Sequence, residues 1–379
     1  MVTQAKILRR FVITALMMLS IGTFSFASEG ETAAHGEGHE GGHEATEKGF
    51  DPGDFIFDHI KDAHDWHICT WKGHHISIPL PVILYSQKSG LHAFMSSKFE
   101  HGHATHEGFK LEIEGENKGK VVEVAEDGSF TMPLDISITK NVLSIFISIT
   151  LILLIFLSVT KSYRRNPNKA PKGLQNATEV FILFITDDVA KPSIGAKYKK
   201  FVPYLLTVFF FIFINNLMGL IPIFPGGANV TGNISVTMVL ALFTFVLTTI
   251  NGNKHYWLEI FDAPGIPWWL KYPPLPLMPI VEIMGMFTKP IVLMIRLFAN
   301  IAAGHIIALG FFSLIFIFGQ MSQYLGMGVG LFSVVFVIFM SVLELLVALI
   351  QAYVFTLLSA IFFGMATAEH HEEGHAQHE

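Results

Sequence analysis

Residues 331–367, LFSVVFVIFMSVLELLVALIQAYVFTLLSAIFFGMAT, contain no proline and a single charged side chain, Glu344. As one helix this stretch would be about 55 Å long, against a bilayer hydrocarbon core of about 30 Å. Residues 278–318 form a second run of this kind, about 60 Å as a helix, with Pro290 inside it. The usual tilt of ~20° does not absorb such an excess. Either each run is broken in two, or both are strongly slanted in a membrane. The absence of proline from 331–367 favours slanted helices, packed as a hairpin around GQMSQYLGMGVG (319–330). A chain built on these two segments is a polytopic membrane protein.

Composition agrees. Of 379 residues, 51% are hydrophobic and 15% charged, whereas soluble domains carry about a quarter charged residues. The net charge of −6 says little about partners in such a chain. Cys69 is the single cysteine, so no disulfide forms within the chain, and no His/Asp setting for a thiol nucleophile surrounds it.

The N-terminus reads as a secretory signal over residues 1–27. Lys6, Arg9 and Arg10 precede an apolar core, and Ser25-Phe26-Ala27 supplies small residues for cleavage. An uncleaved anchor is the alternative. Residues 28–50 are rich in His, Glu and Gly and cannot form a core, so disorder is expected there. Within 51–140, HISIPLPVILYS, GFKLEIEG and KVVEVAEDGSFTM alternate apolar and polar residues as short strands do. A small β-rich extramembrane module is expected, with its role open.

The first span is Val142–Val159. Lys161, Arg164, Arg165, Lys169, Lys172, Lys191, Lys197, Lys199 and Lys200 follow it, which places this region in the cytoplasm by the positive-inside rule. Within it, LQNATEVFILFITDDVA is too short and polar to cross and suits an interfacial helix. A second span runs roughly 201–224 and a third Ile234–Ile250; PWWLKYPPLPLMP then suits a chain re-entering at the interface. The expected fold is therefore all-α and polytopic. It has about five transmembrane helices plus an interfacial one, with the β-rich module before them. The membrane domain covers 141–368 and a His-rich cytoplasmic tail covers 369–379.

The hairpin's polar residues are Glu282, Lys289, Arg296, Asn300, His305, Glu344, Gln351 and Tyr353. Arg296 and Asn300 are four apart and share a helix face, with small residues around them in ANIAAG. Glu344 and Gln351, and likewise Glu282 and Lys289, are seven apart. His305 lies about 13.5 Å along the axis from Arg296. An arginine with titratable groups strung along the path suits proton handling. Plainer roles stay open: Glu282 and Lys289 as interfacial residues, Asn300 and Gln351 as interhelical hydrogen-bonding groups, Arg296 as a counter-ion for Glu344. No P-loop, HExxH or CxxC motif points to an enzyme.

KPIVLMIRLFANIAAGHII, ELLVALIQAYVFTLLSAIFF and NNLMGLIP together resemble subunit a of F-type ATP synthases, over roughly residues 140–368. The resemblance implies a non-catalytic proton-channel stator subunit without a cofactor. Its two slanted helices would lie against a rotating ring of c subunits, beside the subunit b peripheral stalk and the rest of the complex, in a bacterial inner membrane. The signal segment and the positive-inside rule give an exported N-terminus; a cytoplasmic C-terminus and no nucleic-acid partner are expected. By the same resemblance Arg296 is the essential arginine and Asn300 its companion. His305 falls where many bacterial versions have Glu, and Glu344 where those versions have His, a reciprocal exchange in the outer half-channel. Gln351 matches a glutamine opposite the arginine, Glu282 a carboxylate of the inner half-channel, and Asn216 a polar residue of the outer one. Gly219 departs from relatives that have Asp there.

Twelve of the 18 histidines precede residue 107 and four lie in EHHEEGHAQHE at the C-terminus. They motivate a rival reading, a metal-ion transporter with His-rich tails. Against it, the spans hold scattered single acids rather than grouped ligands.

Overall fold

The structure, a computed structural model, describes residues 61–71, 74–113, 117–124, 130–165, 170–221, 224–261 and 277–368, with Gly53 and Gly115. The expected signal segment, the His/Glu/Gly-rich stretch 28–50 and the tail 369–379 lie outside these residues, as does most of PWWLKYPPLPLMP.

The expected β-rich module is present. β1 (Asp65–Trp71) and β2 (His74–Pro79) form an antiparallel pair with a register slip between His67 and Cys69. β3 (Pro81–Ser86) and β4 (Gly90–Met95) pair next. Four short strands follow: β5 (Thr105–His106), β6 (Phe109–Leu111), β7 (Val121–Val124) and β8 (Phe130–Thr131). They make one sheet in chain order, while β9 (Leu134–Asp135) returns to the free edge of β3. Alternation along β3 turns Val82 and Leu84 inward, where they meet Phe99, Phe109 and Val121 in a small core.

The module is anchored to the membrane helices. Trp66 joins the large helical core and meets Phe224 edge-on at 5.2 Å. The Asp62 carboxylate accepts hydrogen bonds from the Asn141 amide at 3.0 Å and the Thr139 hydroxyl at 2.7 Å. It thereby satisfies the start of α1 (Lys140–Arg165), where the first amides of a helix have no intrahelical partner.

α1 contains the expected first span. The stretch read as an interfacial helix is helical, but it is not a separate element. α2 (Leu174–Leu183) runs into a π-helical turn over Phe184–Ala190 and a last turn at Lys191–Ile194. Gly195, at φ +72°, marks the junction with α3 (Tyr198–Leu220). α3 ends four residues short of the expected Phe224. Ile221 precedes a proline, which disfavours helical backbone, and the amides of Ile221 and Gly227 both fold back to the Met218 carbonyl. α4 (Ile234–Ile250) has the expected bounds, with Asn233 capping it through the Ser235 amide at 2.9 Å. α5 (Lys254–Phe261) then turns away by 101°.

α6 (Leu277–Met321) and α7 (Gln323–Thr367) are 45 residues each, about 67 Å long. Neither is broken, and α6 passes through Pro290. The expected turn over 319–330 shrinks to Ser322, and 323–330 belong to α7. The glycines there do a different job: a methyl group on Gly326 would sit 2.7 Å from the Gly319 Cα, so the two helices meet backbone to backbone.

By length and composition α1, the α2–α3 run, α6 and α7 can each cross a membrane, and α4 with α5 makes a fifth if the bent pair counts as one span. α3 lies at the centre, buried along most of its length and packed on α7, α1 and the 184–190 turn. Phe201 stacks on Phe363 at 4.5 Å, and the adjacent Gly364 passes the Ser193 carbonyl so closely that a methyl group there would lie 2.0 Å from its oxygen.

Candidate functional site

The polar residues of the hairpin separate into three groups along α6 and α7. The first holds Arg296 and Asn300. Both are exposed, on a stripe of α6 that also exposes Ile291, Val292 and Ile295, while Leu293 and Leu297 are turned inward. Arg296 makes no ion pair with Glu344, and none with any other of the described residues. Asn300 reaches across the hairpin, donating from Nδ2 to Oε1 of Gln351 at 3.0 Å. Gln351 is only 3% exposed, so this bond satisfies a group otherwise stranded in an apolar interface.

The second group lies further along α6. The Nδ1 atom of His305 stands 3.9 Å from Oε1 of Glu344, the range of an ion pair when the imidazole is protonated. Two glycines make the space. A methyl group on Gly304 would fall 2.8 Å from the Glu344 carboxylate, and one on Gly219 would lie 3.6 Å from Nε2 of His305. The Glu344 Oε1 atom is buried and has no hydrogen-bond partner among the described residues. One turn beyond Glu344, the Ala348 backbone carbonyl accepts from Nδ2 of Asn216 at 3.3 Å, and Oδ1 of Asn216 accepts from the Thr231 hydroxyl. Asn216 therefore ties α3, α7 and the loop after α3 together beside the His305–Glu344 pair.

The third group is at the start of α6. Glu282 is half-buried and lies within electrostatic reach of Tyr256 on α5. The Lys289 ammonium lies 5.9 Å from the centre of the Phe362 ring. It helps line a narrow cavity with Thr244, Thr248, Tyr256 and Pro290. Thr244 bonds the Tyr204 hydroxyl at 2.8 Å, which continues the polar lining between α3 and α4.

The spacings in the sequence put Arg296 with Asn300, and Glu344 with Gln351, on shared helix faces; the structure adds the contacts across the hairpin, Asn300 with Gln351 and His305 with Glu344. The roles of Gly219 and Gly304 as clearances were not visible in the sequence, because a glycine that admits a neighbour's side chain looks like any other. No group of three or more His, Cys, Asp or Glu side chains among the described residues is arranged to hold a metal ion, and nothing else supports the metal-transporter reading.

Comparison with known proteins covers nearly all the described residues. A family model described as ATP synthase A chain matches residues 142–364, and one described as Domain of unknown function (DUF8433) matches 55–142. ATP synthase subunit a 2 of Chlorobaculum tepidum is 47% identical over 251 residues, which is 65% of this chain and 67% of that protein. ATP synthase subunit a of Chlorobium phaeobacteroides (strain DSM 266) is 46% identical over 65% of this chain and 68% of its own length. The Myxococcus xanthus subunit a is 40% identical over 64% of this chain and 77% of its own. A family model spanning more than half the chain and relatives of this identity show the family: the chain belongs to the ATP synthase A chain family, as a multi-pass, proton-channel subunit a of an ATP synthase.

Proposed function

We propose that Arg296 is the stator charge past which the carboxylates of a c-subunit ring rotate, and that protons reach it through two offset half-channels. The observation that carries this reading is an arginine exposed on an apolar stripe of a membrane-length helix, with no ion-pair partner among the described residues. Such a cation facing lipid costs at least about 2.5–3.5 kcal/mol. A passing acidic partner removes that cost.

The chemistry follows from the charge. A guanidinium stays protonated at any accessible pH. A rotor carboxyl close to it is driven to ionise, because an opposite charge lowers a carboxyl pKa. Turned toward lipid, the same group must be neutral. Each carboxyl thus gives up its proton on one side of Arg296 and takes another on the other side, while the fixed charge opposes direct leakage. Lysine is a poorer choice, since burial can strip its proton.

His305, Glu344 and Asn216 line the outer half-channel in this reading, and Glu282 lies on the inner one. Asn300 and Gln351 hold α6 and α7 in register next to Arg296. α6 and α7 lie strongly tilted against the ring, since each is about twice the bilayer's thickness. The subunit binds the c-ring and the subunit b stalk, carries no catalytic group or cofactor of its own, and sits in a bacterial inner membrane. Residues 1–27 direct export, residues 28–140 lie outside the cytoplasm, and the tail 369–379 lies inside. Arg296→Ala tests the central assignment: inverted vesicles carrying this variant should build no ATP-driven proton gradient, and a normal gradient refutes it.

A further inference from the structure

Three helix ends meet around a cleft of about 470 Å³: the start of α3, the residues just after α4, and the end of α7. Its polar lining is Lys197, Lys199, Lys200, Asn251, Asn253 and Thr367, and among the described residues no Asp or Glu lines it. All three lysines are exposed. Three ammonium groups around one cleft repel one another, so an occupant of opposite charge is favoured there. The walls are tied together by hydrogen bonds. Lys200 donates from Nζ to Oδ1 of Asn251. The Asn253 amide donates to the Ala366 carbonyl at 2.8 Å, and its Nδ2 donates to the Thr367 carbonyl at 3.0 Å, which holds the turn between α4 and α5 against the end of α7.

The surroundings put this cleft at the level of lipid headgroups. The apolar run of α3 begins at Phe201, directly after the lysines, and that of α4 ends at Ile250, directly before Asn251. A methyl group on Gly252 would lie 3.2 Å from Nε1 of Trp257, so an indole stands beside the same turn. Tryptophan favours the interface between membrane and water. Met238, Leu242, Val246 and Ile250 recur every fourth residue along α4, and all four are exposed. They form an apolar stripe that runs the length of the helix and stops one residue short of the cleft.

We infer that this cleft seats the phosphate of an anionic phospholipid, whose acyl chains lie along the α4 stripe. Basic pockets between membrane helices take up anionic headgroups in this way. A zwitterionic lipid brings an ammonium group of its own and gains little from three more. Bound there, the headgroup bridges α3, α4 and α7, and the site is separate from the proton path around Arg296.

The test uses the whole complex in nanodiscs of phosphatidylcholine with a graded fraction of phosphatidylglycerol. Amide hydrogen exchange is followed over residues 196–201 and 250–254, and it should slow in both segments as phosphatidylglycerol rises. Each lysine beside a headgroup contributes about fivefold in affinity, so Lys197→Gln combined with Lys199→Gln should raise the half-effective fraction about 25-fold. Lys197→Arg combined with Lys199→Arg should keep the original response. An unchanged response in the assembled glutamine variant overturns the site. If that variant does not assemble, the unaltered complex decides: exchange equally slow in pure phosphatidylcholine overturns the site as well. Inorganic phosphate added to phosphatidylcholine nanodiscs should have no comparable effect, and an equal effect assigns the cleft to free phosphate instead of lipid. Removal of residues 369–379, whose first glutamate lies two residues after Thr367, should leave the response in place. A response seen only after that removal shows that the tail's own carboxylates fill the cleft, which overturns the lipid assignment.

Discussion

The His305 imidazole and the Glu344 carboxylate face each other at 3.9 Å across the α6–α7 hairpin, with Gly304 directly against the carboxylate. One basic and one acidic group therefore share a small pocket between two membrane helices. If they act as a pair, His305→Glu or Glu344→His alone, leaving two acids or two imidazoles together, should impair proton pumping more than the double exchange does. Acridine-dye quenching in inverted vesicles measures this; a double variant no better than either single one shows that the two groups act independently.

Gly304 and Gly364 predict opposite outcomes for the same Gly→Ala change. At Gly304 the added methyl meets the tip of Glu344, a flexible side chain that can move aside. Assembly should stay near normal while pumping falls, since the carboxylate leaves His305. At Gly364 the methyl meets the Ser193 backbone, which cannot yield so easily. Overpacking of this kind costs about 1–3 kcal/mol or more, so Gly364→Ala should lower the amount of subunit found in the complex by immunoblot.

Asn300 and Gln351 form a coupled pair. Asn300→Ala strands the buried Gln351 amide, at a cost of about 1–3 kcal/mol. Asn300→Ala combined with Gln351→Leu removes both polar partners and should cost less than the sum of the single changes. Thermal inactivation of the solubilised complex, analysed as a double-mutant cycle, reads the difference. Additive losses would mean that the 3.0 Å bond contributes nothing to stability.

In the N-terminal module, His64 Nε2 lies 2.7 Å from Asp135 Oδ2. Burial opposes a charge on either side chain, but their mutual hydrogen bond and attraction win, with Asp62 and Asp65 adding to the pull on His64. The His64 pKa is raised above 6.5 and that of Asp135 lowered below 3.8. The raised histidine contributes stability in full below 6.5 and loses it as pH climbs through its folded value. The lowered aspartate contributes above 3.8 and loses it as pH falls through its own folded value. Protection of the β3 and β9 amides from hydrogen exchange in the intact complex should therefore be greatest between those limits, and His64→Leu should flatten the profile. A profile unchanged by His64→Leu removes the pair as its cause.

How much of this was readable from the chain varies by element. The two long helices announced themselves because 331–367 offers neither a proline nor a run of charge, and Arg296, Asn300 and Gln351 stood out as isolated polar groups in oil. Short alternating segments such as PVILYS marked the strands of the module. The turn was misplaced because glycine serves equally as a break and as a contact point, and only the opposing helix tells which applies at Gly319 and Gly326. The burial of Lys140 has no local signature in the sequence. Its amide is held by the Ala63 carbonyl, some 75 residues earlier, and local pattern carries no trace of contacts across such a distance.

The single-residue connection at Ser322 leaves no slack between the two 45-residue helices. One inserted or deleted residue there would spin α7 by about 100° relative to its partner. The Asn300–Gln351 bond and the His305–Glu344 pocket would then be lost together, although they lie on different turns. The junction works like the keyway of a shaft: it sets one angular phase, and everything mounted along both helices inherits it.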